Sequence, residues 1–316
     1  MFTVLFTSIG RRVELMQAFR RLSETHGIKA RILGTDANPS LAPASYFMDQ
    51  CFKVPKVDAG GYVDSLLAVC KTEKVDLLIP LFEPEFFLLE VKRFEFEKLG
   101  VLLLISERKV LEICQDKWQA YQFFTTHKIK TPKTWVETNL PKETLFPVFI
   151  KPRKGMGSRG ARRVDTREQL ELIMQQNAEL LIQEYIPGKE YTLDILADLE
   201  GKVLSVVPRE RLEVRAGEVS KSRTVYRRDL IEQGKYIVEK LGAIGPVTAQ
   251  CIDNGKDVYW LEVNPRFGGG VPLAIQAGVD YPLLLYQMVR KQSIQPFLGQ
   301  YNHDLTMLRY DQAVYF

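Results

Sequence analysis

Over the first third of the chain, short apolar runs alternate with longer stretches in which apolar residues recur at helical spacing. Thr3–Thr7 reads as a buried strand, followed by Ser8-Ile9-Gly10 and a helix to about His26. Ala30–Gly34 is the next strand and ends in Asp36-Ala37-Asn38-Pro39-Ser40, which is turn chemistry. A helix over Tyr62–Lys71 precedes a strand at Leu77–Pro80, and a helix over Glu85–Lys98 precedes Val101–Ile105. Strands joined by helices of this length predict a parallel sheet with right-handed crossovers, whose carboxyl-end loops are the usual ligand site.

After Ser106 the texture changes. A helical piece at Lys109–His127 leads to Thr131-Pro132, and then hairpin-like strands follow at Val148–Lys151, Ala161–Val164, Leu180–Glu184, Tyr191–Ala197 and Val203–Val207. Thr166 opens a helix with Gln169 three residues on, a capping-box spacing. A helix at Asp229–Lys240 feeds strands at Val247–Ile252 and Val258–Val263. This half reads as α+β with antiparallel sheets. The texture break predicts a boundary at residue 106, with a second unit over 107–295 (lobes 107–185 and 186–295) and a C-terminal segment, 296–316.

Composition narrows the function classes. With 316 residues, 46% of them hydrophobic, the chain buries a sizeable core, and disorder is excluded. A net charge of +4 from 43 basic and 39 acidic residues is too balanced to mark a nucleic-acid or membrane partner. Cys51, Cys70, Cys114 and Cys251 stand far apart, which predicts small buried thiols in a reducing compartment. No apolar run reaches membrane-spanning length and Met1–Phe6 has no signal-peptide character, so the cytoplasm is the expected location. The histidines His26, His127 and His303 are scattered, leaving no triad or His-rich metal site, and are assigned to structure.

The chemistry must therefore come from other residues. In the strand Leu261-Glu262-Val263-Asn264, alternation puts Glu262 and Asn264 on one face, both offering the oxygen ligands that Mg²⁺ prefers. Pro265 ends the strand and leaves Arg266 at its mouth, a planar donor fork for phosphate oxygens. Gly155-Met156-Gly157-Ser158-Arg159-Gly160 spells a dinucleotide fingerprint, but Ala161–Val164 after it reads as a strand, where that fingerprint requires a helix. A nicotinamide dehydrogenase is discarded on this ground. Strand, glycine loop, strand instead predicts a flap whose N–H groups close over phosphates, with Lys151 and Lys154 adding cations. Glu184-Tyr185-Ile186-Pro187-Gly188-Lys189-Glu190 is a strand end, a turn and an acid, suited to an adenine edge and ribose hydroxyls.

In this order the motifs resemble the ATP-grasp superfamily, specifically proteins like the large subunit of carbamoyl phosphate synthetase, over roughly residues 1–290. The chain also looks somewhat like the amino-acid-joining enzymes of the pyrrolysine pathway. The implied architecture is an α/β N-terminal parallel-sheet (Rossmann-like) domain followed by an α+β ATP-grasp fold. The resemblance places metal ligands on Gln250, Glu262 and Asn264, and phosphate-binding cations on Lys117, Lys151 and Arg266. Gly155, Gly157, Ser158 and Gly160 form the flap, Glu184 and Ile186 the adenine hinge, and Glu190 the ribose acid. Two departures stand out: Lys117 occupies a position where the synthetase carries arginine, and the chain has one synthetase half, as a stand-alone ligase would.

What the resemblance implies is ATP- and Mg²⁺-dependent activation of a carboxylate as an acyl phosphate for attack by an amine, with Mn²⁺ an allowed substitute. Arg266 would stabilise the transferring group. The alternatives are a carbamoyl-phosphate-synthase-type enzyme acting on bicarbonate or carbamate, and a nucleotide-binding regulator that has lost catalysis. A homodimer or a separately encoded partner subunit is compatible with either enzyme. The arginine-rich stretch Pro208–Asp229 reads as a solvated charged loop or, through Arg209, Arg211 and Arg223, as a clamp on an anionic substrate. Arg11-Arg12, at a predicted helix N-terminus, suits either a further anionic group or the surface.

Pairing parity adds a geometric expectation. Gln250 opposite Glu262 in a regular hairpin leaves Gly255-Lys256-Asp257 as the loop, whereas a two-residue turn at Asn254-Gly255 turns Gln250 to the wrong face. The metal set therefore predicts an odd connection, three or five residues long, or a β-bulge that restores parity.

Overall fold

The computed structural model of the chain describes residues 1–316 apart from Met156, Ser158, Arg159, Asn177, Ala178 and Ala216. The amino-terminal third is a parallel sheet. Its strands are β1 (Phe2–Thr7), β2 (Ala30–Asp36), β3 (Gln50–Lys53), β4 (Leu77–Pro80) and β5 (Leu102–Leu103), in the order β3-β2-β1-β4-β5. Helices α1 (Val13–Arg20) and α2 (Leu22–His26) follow β1, while α3 (Tyr62–Glu73), α4 (Phe86–Val91) and α5 (Arg93–Lys98) pack on the opposite face. The alternating pattern predicted a parallel sheet with crossover helices, and the structure has one. That pattern missed the short β3, half-exposed and preceded by two 3₁₀ turns.

The expected single helix at Lys109–His127 is two, α6 (Arg108–Gln115) and α7 (Lys117–Thr126). Asp116 breaks them: its carboxylate caps α7 by accepting from the N–H groups of Trp118 and Gln119. Next comes a four-stranded sheet of β6 (Thr134–Val136), β7 (Val148–Pro152), β8 (Arg162–Val164) and β9 (Leu180–Glu184), with α8 (Arg167–Gln176) on one side. Its core is small, built on Val148, Ile150, Val164, Leu170 and Ile182.

A larger antiparallel sheet holds β10 (Lys189–Ala197), β11 (Val203–Arg215), β12 (Glu218–Thr224), β13 (Gly245–Asp253) and β14 (Val258–Asn264), with α9 (Arg228–Leu241) packed on one face. Helices α10 (Val271–Gln276) and α11 (Tyr281–Val289) follow. The segment past residue 295 adds β15 (Thr306–Leu308), which pairs with β12 at the sheet edge. The loop reading of Pro208–Asp229 is corrected, because most of it is the β11–β12 hairpin. Its charges are stabilised on strands by cross-strand pairs such as Arg223–Glu210 and Lys221–Glu213.

One apolar cluster joins the two halves. Phe2, Val4 and Phe6 of β1 pack with Leu196, Leu204 and Val207 of the large sheet and with Val271, Tyr281 and Leu285 of α10 and α11. This shared core fixes the carboxyl edge of the parallel sheet beside the end of β14. The four cysteines are free, and among the described residues no helix is long and apolar enough to cross a membrane.

Candidate active site

The large sheet brings the expected oxygen donors together. In its ladder Glu262 pairs with Gln250, Gln250 with Thr192, and Thr192 with Arg209, so these side chains share a face. Asn264 lies two residues beyond Glu262 on that face, and its Nδ2 donates to Glu262 Oε1 at 3.1 Å. The expected odd connection is corrected. Asp253 pairs with Val258, leaving the four residues Asn254–Asp257, which Asn254 Oδ1 folds into a turn by accepting from the N–H groups of Lys256 and Asp257. Parity is restored by a bulge: Cys251 faces Trp260 and Gln250 faces Glu262, so Leu261 is the extra residue.

Lys151 lies on β7 of the small sheet, where its partners place it on the face away from that sheet's own core. It is 8% exposed, and its ammonium makes no hydrogen bond or ion pair among the described residues. Burial pushes it down to about 8, with Glu262 opposing the shift and Lys117 adding to it. A desolvated cation without a partner is costly unless an anion arrives. Lys117 donates to the Gly155 carbonyl at 2.9 Å, and Arg153 makes a bidentate pair with Asp116, so the flap's base is tied to the start of α7. Sequence reasoning missed the Asp116–Arg153 tie, although Asp116 beside Lys117 at a helix start was its signal.

The strand, glycine loop, strand arrangement is present, with β7 antiparallel to β8 across it. Gly155, Gly157 and Gly160 all adopt positive φ, and Ser158 lies outside the described residues. The flap meets the β11–β12 hairpin: a Cβ on Gly217 would stand 2.7 Å from the Gly157 carbonyl oxygen. Gly157→Val places a β-branched side chain at φ +68, so the Michaelis constant for ATP is expected to rise at least tenfold in initial-rate assays. The strain is local, and stability is expected to fall by only about 1 kcal/mol.

At the expected hinge, the Glu184 N–H donates to the Lys133 carbonyl, while the Ile186 N–H makes no hydrogen bond among the described residues. Glu190 is exposed and stands 3.3 Å from Arg211 Nε. Arg211 sits on the donor face, its charge pushed down by burial and supported by Glu190 and Glu262.

The arginine clamp is corrected in two of its members. Arg209 is buried and donates to Asp194 Oδ2 at 2.7 Å. It underlies Gly270, where an added Cβ would come within 2.4 Å of the guanidinium. Arg223 pairs with Glu210, on the face opposite Arg209 and Arg211, so it cannot close on the same ligand. Arg266 is also more constrained than the sequence suggested: its Nε donates to Glu83 Oε1 at 2.7 Å, a residue of the loop after β4. The acids of Phe82-Glu83-Pro84-Glu85, at the carboxyl end of a parallel strand, were the overlooked signal. Of the histidines, His26 is bonded to Asp280 at 2.7 Å, His127 ends α7 and His303 lies beside the Tyr226 ring.

The donor set suits magnesium. Glu262 has no ion-pair partner among the described residues, and Gln250 and Asn264 offer neutral oxygens beside it. No group of three or more His, Cys, Asp and Glu gathers among the described residues. A single carboxylate with amide oxygens fits a cation that keeps waters and takes substrate phosphates.

Residues 114–270 match the model of the ATP-grasp domain, and residues 4–104 that of the PylC-like N-terminal domain. The arginine-specific carbamoyl phosphate synthase large chain of Bacillus subtilis is 25% identical over 229 residues, 66% of this chain and 22% of its own length. The carbamoyl phosphate synthase large chain of Campylobacter jejuni is 24% identical over 265 residues, 77% of this chain and 24% of its own. The chain thus spans under a quarter of these relatives. Among solved structures, the biotin carboxylase domain of Hydrogenobacter thermophilus 2-oxoglutarate carboxylase superposes with a TM-score of 0.76 at 17% identity, covering 97% of this chain and 73% of that one. The L-amino acid ligase of Bacillus licheniformis gives 0.67 at 20% identity, covering 92% and 74%. With the parallel sheet in front, the donor face on β13 and β14 and the glycine flap against the β11–β12 hairpin, the chain belongs to the ATP-grasp superfamily, an ATP-grasp domain behind a PylC-like N-terminal domain.

Proposed function

We propose that this chain is an ATP-dependent ligase that phosphorylates a substrate carboxylate and passes the acyl phosphate to an amine. The observation that carries this reading is Lys151, buried, without a partner among the described residues and near enough to Glu262 for that carboxylate to support its charge. In this reading residues 1–106 supply the acceptor side, 107–185 the flap lobe and 186–295 the metal lobe, with 296–316 as a closing segment. The similarity to carbamoyl phosphate synthases and to an L-amino acid ligase supports activation of an acid by ATP.

Gln250, Glu262 and Asn264 would hold Mg²⁺, or Mn²⁺ with the same ligands, which when bound neutralises charge on the β- and γ-phosphates. Lys151 and Lys117 hold the phosphate chain, the flap amides cover it, and the Ile186 N–H meets the adenine edge. Glu190 reaches the ribose from the edge of the sheet. The acceptor carboxylate attacks the γ-phosphorus in line and ADP leaves. Arg266, aimed by Glu83, then faces the charge on the transferred group. Flap closure against Gly217 excludes water from the acyl phosphate until the amine attacks and phosphate departs. The free, separated cysteines support a cytoplasmic location.

Phosphorylation of bicarbonate or carbamate is the second reading, favoured by the carbamoyl phosphate synthase relatives. ADP release measured with each amino acid, amino-acid pairs and bicarbonate separates the two. We expect release to rise at least tenfold with one amino acid or one pair. Stimulation by bicarbonate alone would establish the second reading, and no stimulation by any acid would refute both.

A further inference from the structure

Beyond Arg266, the seam between the parallel sheet and the end of β14 gathers charge from five segments of the chain. Arg11, Arg12 and Glu14 come from the start of α1, Arg266 and Glu83 from the loops after β14 and β4, Glu218 from β12, and Arg309 from the C-terminal segment. Arg11 bonds Glu218 at 3.3 Å, Arg309 bonds Glu14 at 3.0 Å and the Gly269 carbonyl, and Arg266 bonds Glu83. The carboxylates are one short. Arg12 is the residue left over: its guanidinium makes no hydrogen bond among the described residues.

Arg12 is positioned as a recognition group. It precedes α1 at the carboxyl edge of β1, where the helix dipole adds to its charge. A Cβ on Gly269 would stand 3.4 Å from its Nη1 and 3.7 Å from the Glu218 carboxylate carbon, so the backbone at Gly269 passes close to both groups. Burial pushes Arg12 down to about 10, and Arg266 and Arg309 push in the same direction, opposed by Glu218. The charges acting on Lys151 are Glu262 and Lys117, whereas those acting on Arg12 are Arg266, Glu218, Arg309 and Arg11. Neither cation has a side-chain partner among the described residues, and each answers to its own set of charged neighbours.

We propose that Arg12, with the amino end of α1 and Gly269, forms a subsite for a second anionic oxygen group on the acceptor, in addition to the carboxylate that is phosphorylated. The acceptor class is then a dicarboxylate or a phosphorylated carboxylate, since a guanidinium fork binds either group bidentately. This rests on the ligase reading for what the acceptor is, but the anion site itself is measurable without turnover.

The test is calorimetric titration of succinate and of inorganic phosphate into the full chain, first saturated with magnesium and a non-hydrolysable ATP analogue. One anion is expected to bind at one site, and which one binds distinguishes the dicarboxylate from the phosphorylated acceptor. Arg12→Met should weaken that binding at least tenfold, with Arg12→Lys intermediate and affinity for the ATP analogue unchanged. Glu218→Gln removes the opposing carboxylate and also frees Arg11, so it should tighten the anion severalfold, and Glu218→Gln combined with Arg12→Lys should lose most of that gain; an undiminished gain in the double variant would assign the anion to Arg11 and overturn the subsite. Binding of neither anion by the wild type, or equal binding by folded Arg12→Met, overturns the subsite. Failure of the wild type to bind the nucleotide analogue would instead refute the ligase reading, and the anion titration would still be read without nucleotide.

Discussion

Glu262→Gln is expected to lower ATP turnover at saturating Mg²⁺ by roughly a hundredfold to a thousandfold, since it removes the one carboxylate of the donor set. The amide keeps the shape and loses the charge. Glu262 is half-buried and, among the described residues, its side chain accepts a hydrogen bond from Asn264 Nδ2 at 3.1 Å, so thermal stability is expected to change by no more than about 0.5 kcal/mol. Steady-state ADP release and a melting curve on the same sample check both halves. Near-normal turnover in Glu262→Gln would remove this face of the sheet from the metal site.

Lys151→Met is expected to separate binding from folding more sharply still. Affinity for ATP should fall about a hundredfold or more, because a desolvated cation meets the phosphates in a low-dielectric cleft. At pH 7 the variant should be more stable by about 1–3 kcal/mol, because burying the charged ammonium opposes folding. The ordinary value of 10.5 falls to about 8 in the folded chain. Below pH 8 both states carry the proton and the folded state bears its full desolvation cost. Between pH 8 and 10.5 the unfolded chain binds more protons, so the wild type gains stability with rising pH and the variant's advantage shrinks. Wild-type ATP affinity should hold from pH 6.5 to 7.5 and decline as pH passes 8, with proton uptake on binding. Titration calorimetry in buffers of different ionisation enthalpy measures that uptake, and a pH-independent affinity would contradict the role given to Lys151.

How much of this was legible depended on whether a signal was local. The parallel sheet could be read because each strand and crossover helix carries its own periodicity, and Glu262 and Asn264 because period-two alternation fixes their common face. Gln250 joined them for a reason the sequence hid: the connection is even, and the bulge at Leu261 that restores parity has no marker of its own. Arg209 and Arg223 were misplaced because an arginine's partner is set by neighbouring strands. Asp194 takes one and Glu210 the other, from either face of the same sheet. Arg266 and Glu83 lie far apart along the chain and meet only because the shared apolar cluster docks the two halves.

The most direct test of acyl-phosphate formation follows oxygen. The acceptor found in the ADP-release screen, labelled with ¹⁸O in its carboxylate, is turned over with ATP and its amine partner, and the released phosphate is examined by mass spectrometry. The account predicts one ¹⁸O atom per phosphate, carried from the carboxylate across the phosphoryl-transfer step. Phosphate that contains oxygen from ATP and solvent water alone would contradict it.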